Sequence, residues 1–241
     1  MTLENKLKDL RNVHEVTYKH SVRTGNYLAM LAKACGKDKE IVQNFREAGY
    51  AHDLGKLAII KFVKSDVNVR NLNKTEMAAF KHTLSLHVVY AESYLKSLSD
   101  YKKVYSDAAA YHHCWYNGNG YSAESVRGTK ATLSGSAIPE VAQMLAIVDV
   151  YDALADKERA YKTAMSDEEI EAIMTKAAEH GQFNPKLFKI FMKDVLPQIK
   201  TMPEKAKLVT QFAIEPVKGA MRSTYGNRHT TVLGRRGMLA A

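Results

Sequence analysis

The chain has little cysteine, little proline and no long apolar run. Its two cysteines, Cys35 and Cys114, are too few for a disulfide framework and form no CxxC motif. The most apolar stretch, residues 138–155, is interrupted by three acidic residues, so no segment has the uncharged length that spans a bilayer. The N-terminus also lacks the apolar core of a secretory signal. These absences exclude a disulfide-stapled secreted scaffold and favour a cytoplasmic protein with no membrane partner.

Positive charge is in excess, with 35 Lys and Arg against 26 Asp and Glu in 241 residues. Residues 203–241 contain seven basic and two acidic residues, and so carry five of the nine excess charges. This distribution favours a solvated basic tail. Contact between the tail and nucleic acid is the alternative, but the tail has neither interleaved aromatic residues nor a known binding motif.

Apolar residues recur at helical spacing along most of the chain, and no strand pattern stands out. A first helix is expected to run through Val13 and Leu31 to Gly36, and Asp38 is expected to cap the next one. Further helices are expected at 74–97, at 101–111, around 138–152, after Ser166 and from Pro185. Residues 116–136 are rich in Gly, Ser and Asn, which is typical of a long loop. The sequence therefore predicts an all-α fold.

Three polar residues, His20, His52 and Asp149, occupy positions where a helical stripe would otherwise be apolar. One such histidine is usually a hydrogen-bonded core residue, but a buried carboxylate needs a cation or a metal as its partner. The contiguous pairs His-Asp at 52–53 and His-His at 112–113 make a chance arrangement improbable. Imidazole and carboxylate together suit Zn, Fe, Mn or Ni better than the all-oxygen shells of Mg or Ca.

Adjacent ligands such as His52 and Asp53 point in different directions, which makes it hard for one ion to bind both. Two metals that share a bridging carboxylate solve this geometry. Such a pair lowers the pKa of a bound water and clamps the attacking and leaving oxygens of phosphoryl transfer. A nucleophilic pair of Cys114 and His113 would leave the other histidines unexplained. The pattern therefore favours metal-dependent phosphoryl hydrolysis.

Six motifs occur in the order of a known family. They are HSVRTGNYLAMLA at 20–32, HDLGK at 52–56, HHCWYNGNGYS at 112–122, DVYDAL at 149–154, ERAYK at 158–162 and GQFNP at 181–185. Together they resemble the HD-GYP branch of the HD-domain metal-dependent phosphohydrolases. The resemblance implies an HD-domain helical bundle over 1–200, followed at 201–241 by a C-terminal helix and a flexible basic tail that begins near Pro216.

The resemblance also implies a set of metal ligands shared between two sites. The residues implied are His20, His52, Asp53 and Asp149 for one metal, and His87, His112 and His113 for the other. Asp53 would bridge the two. Two divalent ions are expected, first Fe or Mn, with Zn and Ni as alternatives. His82 is the rival of His87.

The implied catalytic residues are Asp53 and Lys56, of which Lys56 would contact the scissile phosphate and assist proton transfer. The implied substrate contacts are Lys56, Gly118, Gly120, Tyr121, Asp152, Arg159 and Lys162. The implied activity is hydrolysis of a cyclic dinucleotide, cyclic di-GMP or 3′,3′-cyclic GMP-AMP, through a metal-bridged hydroxide. The alternatives are a nucleotidase or phosphatase acting on mononucleotides, and a catalytically degenerate module that binds cyclic dinucleotides.

The chain departs from the family pattern at three positions. Cys114 stands where the family commonly has glutamate, and Ser122 stands where it has the proline of GYP. Val16 occupies the position at which trimetallic members carry a glutamate, which favours two metals. Most members also have an N-terminal sensory or receiver domain, and only about 13 residues precede the first motif region here. We therefore expect an enzyme that acts alone or under a separate regulatory protein.

Overall fold

Helices form nearly all the regular structure in the residues that the computed structural model describes, 1–64, 71–156 and 165–212. They are α1 (Leu3–Val13), α2 (Glu15–Ala34), α3 (Lys39–Ala51), α4 (Ile60–Val63), α5 (Lys74–Lys96), α6 (Lys103–Tyr111), α7 (Ala123–Val126), α8 (Glu140–Ala155), α9 (Asp167–Glu179), α10 (Pro185–Ile190), α11 (Leu196–Thr201) and α12 (Glu204–Lys207). Short 3₁₀ segments at Leu54–Ile59 and Gly135–Ala137 and a π-helical turn at Phe191–Val195 complete the described elements. The described ranges contain no strand, and the all-α prediction is confirmed.

Capping residues define several helix ends as the sequence predicts. Gly36 follows the end of α2 with a φ of 76°, a conformation that glycine adopts without strain. The Asp38 side chain accepts the Ile41 amide hydrogen at 2.8 Å and so caps α3. Ser166 and Glu169 form a capping box at the start of α9.

The helix predicted from Val13 to Gly36 corresponds to α2, and a further helix that was not predicted from the sequence, α1, precedes it and ends at Val13. The imidazole of His14 accepts the Thr17 amide hydrogen and caps α2. Helix α1 has its own apolar face, which buries Leu3, Leu7 and Leu10. This face contacts α2 and α3, so the N-terminal residues extend the core of the bundle.

A close helix crossing brings together two helices that carry candidate ligands. At the crossing of α2 and α3, a Cβ atom on Gly49 would lie 2.5 Å from the Gly25 Cα atom. Only glycine at this point allows the two backbones to approach so closely. His20 lies within α2 and His52 is the residue that ends α3, so this crossing sets their separation.

A buried polar network joins α3 to α6. The Glu47 carboxylate accepts hydrogen bonds from the Tyr105 hydroxyl at 2.5 Å and from Lys102 Nζ at 2.6 Å. Helix α3 ends at His52 and helix α6 ends at His112, so the network ties together two helices that each present a histidine at the C-terminal end.

The compact unit that contains the bundle runs to Gln211, past the predicted boundary at residue 200. The Asn26 side chain donates to the carbonyl oxygens of Lys207 and Val209 at 2.8 and 3.0 Å, and the Gln211 amide donates to Tyr50 Oη at 3.1 Å. The predicted flexible tail from Pro216 lies outside the described residues. Within the described part of the chain, no helix is both long enough and apolar enough to cross a membrane.

Candidate metal centre

The seven predicted metal ligands converge in the core of the bundle, although they come from five helices and their ends. They are His20 (α2), His52 and Asp53 (end of α3), His87 (α5), His112 and His113 (end of α6) and Asp149 (α8). Most are fully buried, and Asp149 keeps 13% of its side-chain surface exposed. We call His20, His52, Asp53 and Asp149 the first cluster, and His87, His112 and His113 the second cluster.

In the first cluster, imidazole nitrogens face carboxylate oxygens around a common centre. His20 Nε2 lies 3.0 Å from Asp149 Oδ1 and 3.6 Å from Asp53 Oδ2. His52 Nε2 lies 3.7 Å from the same oxygen of Asp149 and 3.4 Å from the same oxygen of Asp53. The four donor atoms are therefore grouped as ligands to one cation would be.

In the second cluster, one ligand atom from each of the three histidines lies within 4.8 Å of the other two. His87 Nε2 is 3.4 Å from His112 Nε2 and 3.6 Å from Asp53 Oδ1. Asp53 thus presents Oδ1 to the second cluster and Oδ2 to the first. This is the arrangement that a bridging carboxylate requires.

Backbone hydrogen bonds fix the tautomers of three of these histidines. The Nδ1 atoms of His52, His87 and His112 each lie 2.6–3.0 Å from the carbonyl oxygen three residues earlier. Because a carbonyl only accepts, Nδ1 carries the hydrogen, and the neutral ring then has its lone pair on Nε2. The Nε2 lone pairs of His87 and His112 therefore face each other, and buried His52 Nε2 has no hydrogen-bond partner among the described residues. A divalent cation at each cluster would take up these lone pairs, so the residues present fit a metal centre.

The protonation states in the centre also suit metal binding. Burial lowers the pKa of His87 to about 4 and that of His113 to about 3, so both rings are neutral at physiological pH. Burial alone would raise the pKa of Asp53, but Lys56 and the surrounding histidines hold it well below its usual value. Neutral imidazoles and ionised carboxylates form the mixed nitrogen and oxygen set that Fe, Mn, Zn and Ni accept.

Lys56 lies at the edge of the centre. Its Nζ atom is 2.5 Å from Asp53 Oδ2, and 18% of its side-chain surface is exposed. The ammonium group therefore contacts the candidate bridging carboxylate and remains accessible to a ligand that enters from solvent.

The glycine-rich loop folds over the second cluster. The Trp115 amide donates to the Asn119 carbonyl at 2.9 Å, and the Tyr121 amide donates to the His113 carbonyl at 3.1 Å. Gly118 and Gly120 have φ values of 91° and 84°, which permit this tight path. The loop places the Tyr121 ring in a stack on His113, with 4.6 Å between ring centroids.

Cys114, at the position where the HD-GYP resemblance leads one to expect glutamate, lies outside the predicted ligand set. It packs in an apolar cluster with Ile138 and Ala142. Burial raises the pKa of its thiol to about 11, so the sulfur stays protonated and is a poor nucleophile and a poor metal ligand.

Ser122, at the position where the HD-GYP resemblance leads one to expect proline, caps the short helix α7. Its side chain accepts the Ser125 amide hydrogen at 3.1 Å, and its own amide donates to Ser125 Oγ at 2.7 Å. Proline at this position would have no amide hydrogen to donate. The substitution therefore adds a local capping box directly after Tyr121.

The structure corrects the sequence-based assignment of Asp152 to the substrate. Only 2% of this residue is exposed. Its Oδ1 accepts from Arg23 Nε at 2.6 Å, and its Oδ2 contacts His20 Nδ1 at 2.7 Å and Arg23 Nη2 at 2.9 Å. Helical spacing placed Asp152 beside Asp149 but did not reveal these partners. Arg23 was not predicted as a residue of the site. An arginine three residues after His20, in an otherwise buried stretch of helix, was the signal that could have identified it.

Other sequence-predicted residues fall into two groups. Arg159 and Lys162, two of the implied substrate contacts, lie outside the described residues. His82 is exposed, whereas His87 is buried at 1% exposure within the second cluster.

Removal of the His87 and His82 side chains tests which of the two is a ligand. His87→Ala removes a buried Nε2 atom from the second cluster, so we expect loss of one of two bound metal equivalents. His82→Ala is the matched control on the same helix and should keep both equivalents. Elemental analysis of the purified variants checks this, and equal metal content in the two would contradict the placement of His87.

The fold and the site together define an all-α bundle with a buried His/Asp centre whose residues fit divalent metal. The chain belongs to the HD-domain family, because the family model of the HD domain matches residues 6–187.

Relatives of known activity match much of this chain. It is 31% identical over 176 residues to the 3′3′-cGAMP-specific phosphodiesterase 2 of Vibrio cholerae serotype O1, covering 72% of this chain and 30% of the relative. It is 28% identical over 189 residues to the cyclic di-GMP phosphodiesterase PA4108 of Pseudomonas aeruginosa, covering 77% and 41%. The chain therefore matches well under half of the length of either relative.

Solved structures share the fold. The HD domain of the L. monocytogenes phosphodiesterase PgpH aligns with a TM-score of 0.56 and 17% identity, covering 81% of this chain and 97% of that one. The same domain in complex with cyclic di-AMP aligns with the same TM-score and 18% identity, covering 81% and 96%. At these identities the likeness concerns the fold.

Proposed function

We propose that this domain is a cyclic-dinucleotide phosphodiesterase of the HD-GYP branch, with GYS in place of GYP, and that it uses two divalent metal ions. The observation that carries the proposal is the position of Asp53. One of its oxygens faces His20 and His52 of the first cluster, and the other faces His87 of the second. A carboxylate shared in this way is what a binuclear hydrolytic centre needs.

The residues that would hold the metals are the two clusters described above. His20, His52 and Asp149 would bind the first ion, His87, His112 and His113 would bind the second, and Asp53 would contact both. A bound pair of such ions lowers the pKa of a water molecule and stabilises the attacking and leaving oxygens of an in-line displacement. Fe or Mn are the ions we propose first, and Zn and Ni fit the same donor set.

The chain itself contributes positioning and charge. Lys56, beside Asp53 and partly exposed, is placed to bind the scissile phosphate and to hold a proton at its Nζ atom for the leaving oxygen. Tyr121, stacked on His113, forms a wall beside the second cluster and would orient a base or ribose. Gly118 and Gly120 keep the loop path that places this wall.

Support for the substrate class comes from the relatives, two of which are named as phosphodiesterases of 3′3′-cGAMP and cyclic di-GMP. Because this chain matches less than half of each, the substrate remains part of the proposal. The test is a hydrolysis panel of cyclic di-GMP, 3′3′-cGAMP and cyclic di-AMP, with nucleoside monophosphates as the competing class. Cleavage of monophosphates alone would favour a nucleotidase, and binding without turnover would favour a degenerate module; either result overturns the proposal.

Lys56→Ala should separate phosphate binding from metal binding. We expect turnover to fall by roughly 10²- to 10³-fold, because a positioned proton donor contributes an effect of that order. Metal content should be unchanged, since the ammonium group is not a ligand. Steady-state kinetics with elemental analysis checks both, and Lys103→Ala, which removes an exposed lysine paired with Asp107, is the control. Wild-type turnover in Lys56→Ala would remove Lys56 from the mechanism.

A further inference from the structure

The Nδ1 atom of His20 contacts a different kind of group from the Nδ1 atoms of His52, His87 and His112. The Nδ1 atoms of His52, His87 and His112 face backbone carbonyls, whose positions are set by their own helices. His20 Nδ1 instead faces a side-chain carboxylate, Asp152 Oδ2, at 2.7 Å. The orientation of His20 therefore depends on whatever holds Asp152.

Arg23 holds Asp152 through two hydrogen bonds. Its Nε atom donates to Oδ1 at 2.6 Å and its Nη2 atom donates to Oδ2 at 2.9 Å, which is a bidentate pair with little freedom to rotate. Nη2 also lies 3.0 Å from Asp156 Oδ2. Arg23 is one turn after His20 on α2, while Asp152 is one turn after Asp149 on α8. The pair therefore joins the two helices that carry the ligands His20 and Asp149.

A carboxylate behind a metal-binding imidazole has two effects. It fixes the ring with the hydrogen on Nδ1 and the lone pair on Nε2, and it makes Nε2 a better donor. In the first cluster this lone pair is directed toward Asp149 and Asp53, at 3.0 and 3.6 Å. Among the described contacts, no carboxylate lies behind His87 or His112 of the second cluster, since their Nδ1 atoms face backbone carbonyls.

We propose that Asp152, fixed by Arg23, is the positioning residue for the first metal, and that it sets the affinity of the first cluster without affecting the second. The inference rests on the proposed two-metal function. Asp152 acts through His20 and does not touch the metal or the substrate. Loss of its charge should therefore change the affinity of one site of the two.

Asp152→Asn tests this with almost no change in volume. Arg23 donates to both oxygens of Asp152, so an amide at this position must direct its NH₂ group toward either Arg23 or His20. Toward His20, the NH₂ would donate to Nδ1 and move the ring hydrogen to Nε2, where it blocks the metal. If the NH₂ group faced Arg23, two hydrogen-bond donors would point at each other and the contact between Arg23 and the amide would be lost. Either orientation weakens the hold on His20.

The experiment uses the full chain, freed of metal and titrated with Mn²⁺ and with Co²⁺, whose absorption spectrum reports each ligand set. We expect Asp152→Asn to weaken one of two binding equivalents by about 10- to 100-fold and to leave the other unchanged. Arg23→Gln should weaken the same equivalent. Asp107→Asn removes the charge of a carboxylate that pairs with Lys103 on the surface of α6, and is the control that should keep both affinities. Thermal unfolding of each metal-free variant shows that it is folded.

The outcomes separate this inference from the proposed function. Two equivalents of wild-type affinity in folded Asp152→Asn would overturn the positioning role and leave the two-metal centre standing. Equal weakening of both equivalents would overturn the assignment to one cluster. A wild-type chain that binds neither ion would overturn the proposed function itself, and this inference with it.

Discussion

Asp53→Asn is expected to abolish metal-dependent hydrolysis, with a loss in turnover of at least about 10³-fold. Removal of a single stabilising donor from a transition state costs roughly 10²- to 10³-fold, and this change disrupts both metal sites at once. The amide keeps the volume of the side chain but has one oxygen, so it cannot face the first and second clusters with two anionic ligands. The same reasoning applies to Asp53→Ala.

The measurement combines kinetics on a cyclic dinucleotide with the metal content of the purified protein. Asp53→Asn should retain less than two equivalents, because each cluster loses its share of the carboxylate. Asp107→Asn is the control: its carboxylate pairs on the surface of α6 with Lys103 at 2.6 Å, and such exposed pairs contribute little. Undiminished turnover in metal-replete Asp53→Asn would exclude the bridged mechanism.

The sequence was sufficient to predict which histidines and aspartates meet in the core, because they occur in ordered motifs on helices with recognisable ends. Gly36, Asp38 and Ser166 mark helix boundaries through local chemistry that needs no tertiary contact. The His-Asp and His-His pairs stand out because polar residues in an apolar stripe need a reason to be buried. All seven predicted ligands converge in the structure, although their role as ligands remains a prediction.

The partners of buried side chains could not be predicted in the same way. Spacing along α8 placed Asp152 near Asp149, but only the packing of α2 against α8 shows that Arg23 and His20 occupy its oxygens. Helix α1 and its separation from α2 at His14 were not predicted, for a related reason. Apolar spacing continues from α1 into α2, and the cap depends on a side-chain rotamer that a sequence pattern does not contain.

Gly55→Ala is expected to disrupt the site without touching a ligand. Gly55 lies in the 3₁₀ segment Leu54–Ile59, between Asp53 and Lys56, where this segment crosses α5. A Cβ atom here would lie 1.9 Å from the carbonyl oxygen of His87 and 2.7 Å from the amide nitrogen of Ala91. These are backbone atoms of a long helix, so the clash cannot be relieved by the rotation of a side chain.

The methyl group should therefore push the segment away from α5 and move Asp53 away from His87. Overpacking of this kind typically costs about 1–3 kcal/mol, and a backbone clash lies at the upper end of that range. Misplacement of a reacting group by about 1 Å costs on the order of 10²-fold in rate. We thus expect lower stability toward urea, loss of the metal equivalent at the second cluster, and at least a 10²-fold loss of turnover.

Gly128→Ala separates the clash from the general cost of replacing a glycine. Gly128 has a φ of 71°, and a Cβ atom at this position would meet no other atom within 4 Å. Alanine there therefore encounters only backbone strain of about 1–2 kcal/mol. That variant should lose stability but keep two metal equivalents and full turnover. If Gly55→Ala behaved like Gly128→Ala, the contact between the 3₁₀ segment and α5 would not be what holds Asp53 against His87. Loss of metal and turnover in Gly55→Ala alone would show that the bridge depends on this backbone contact.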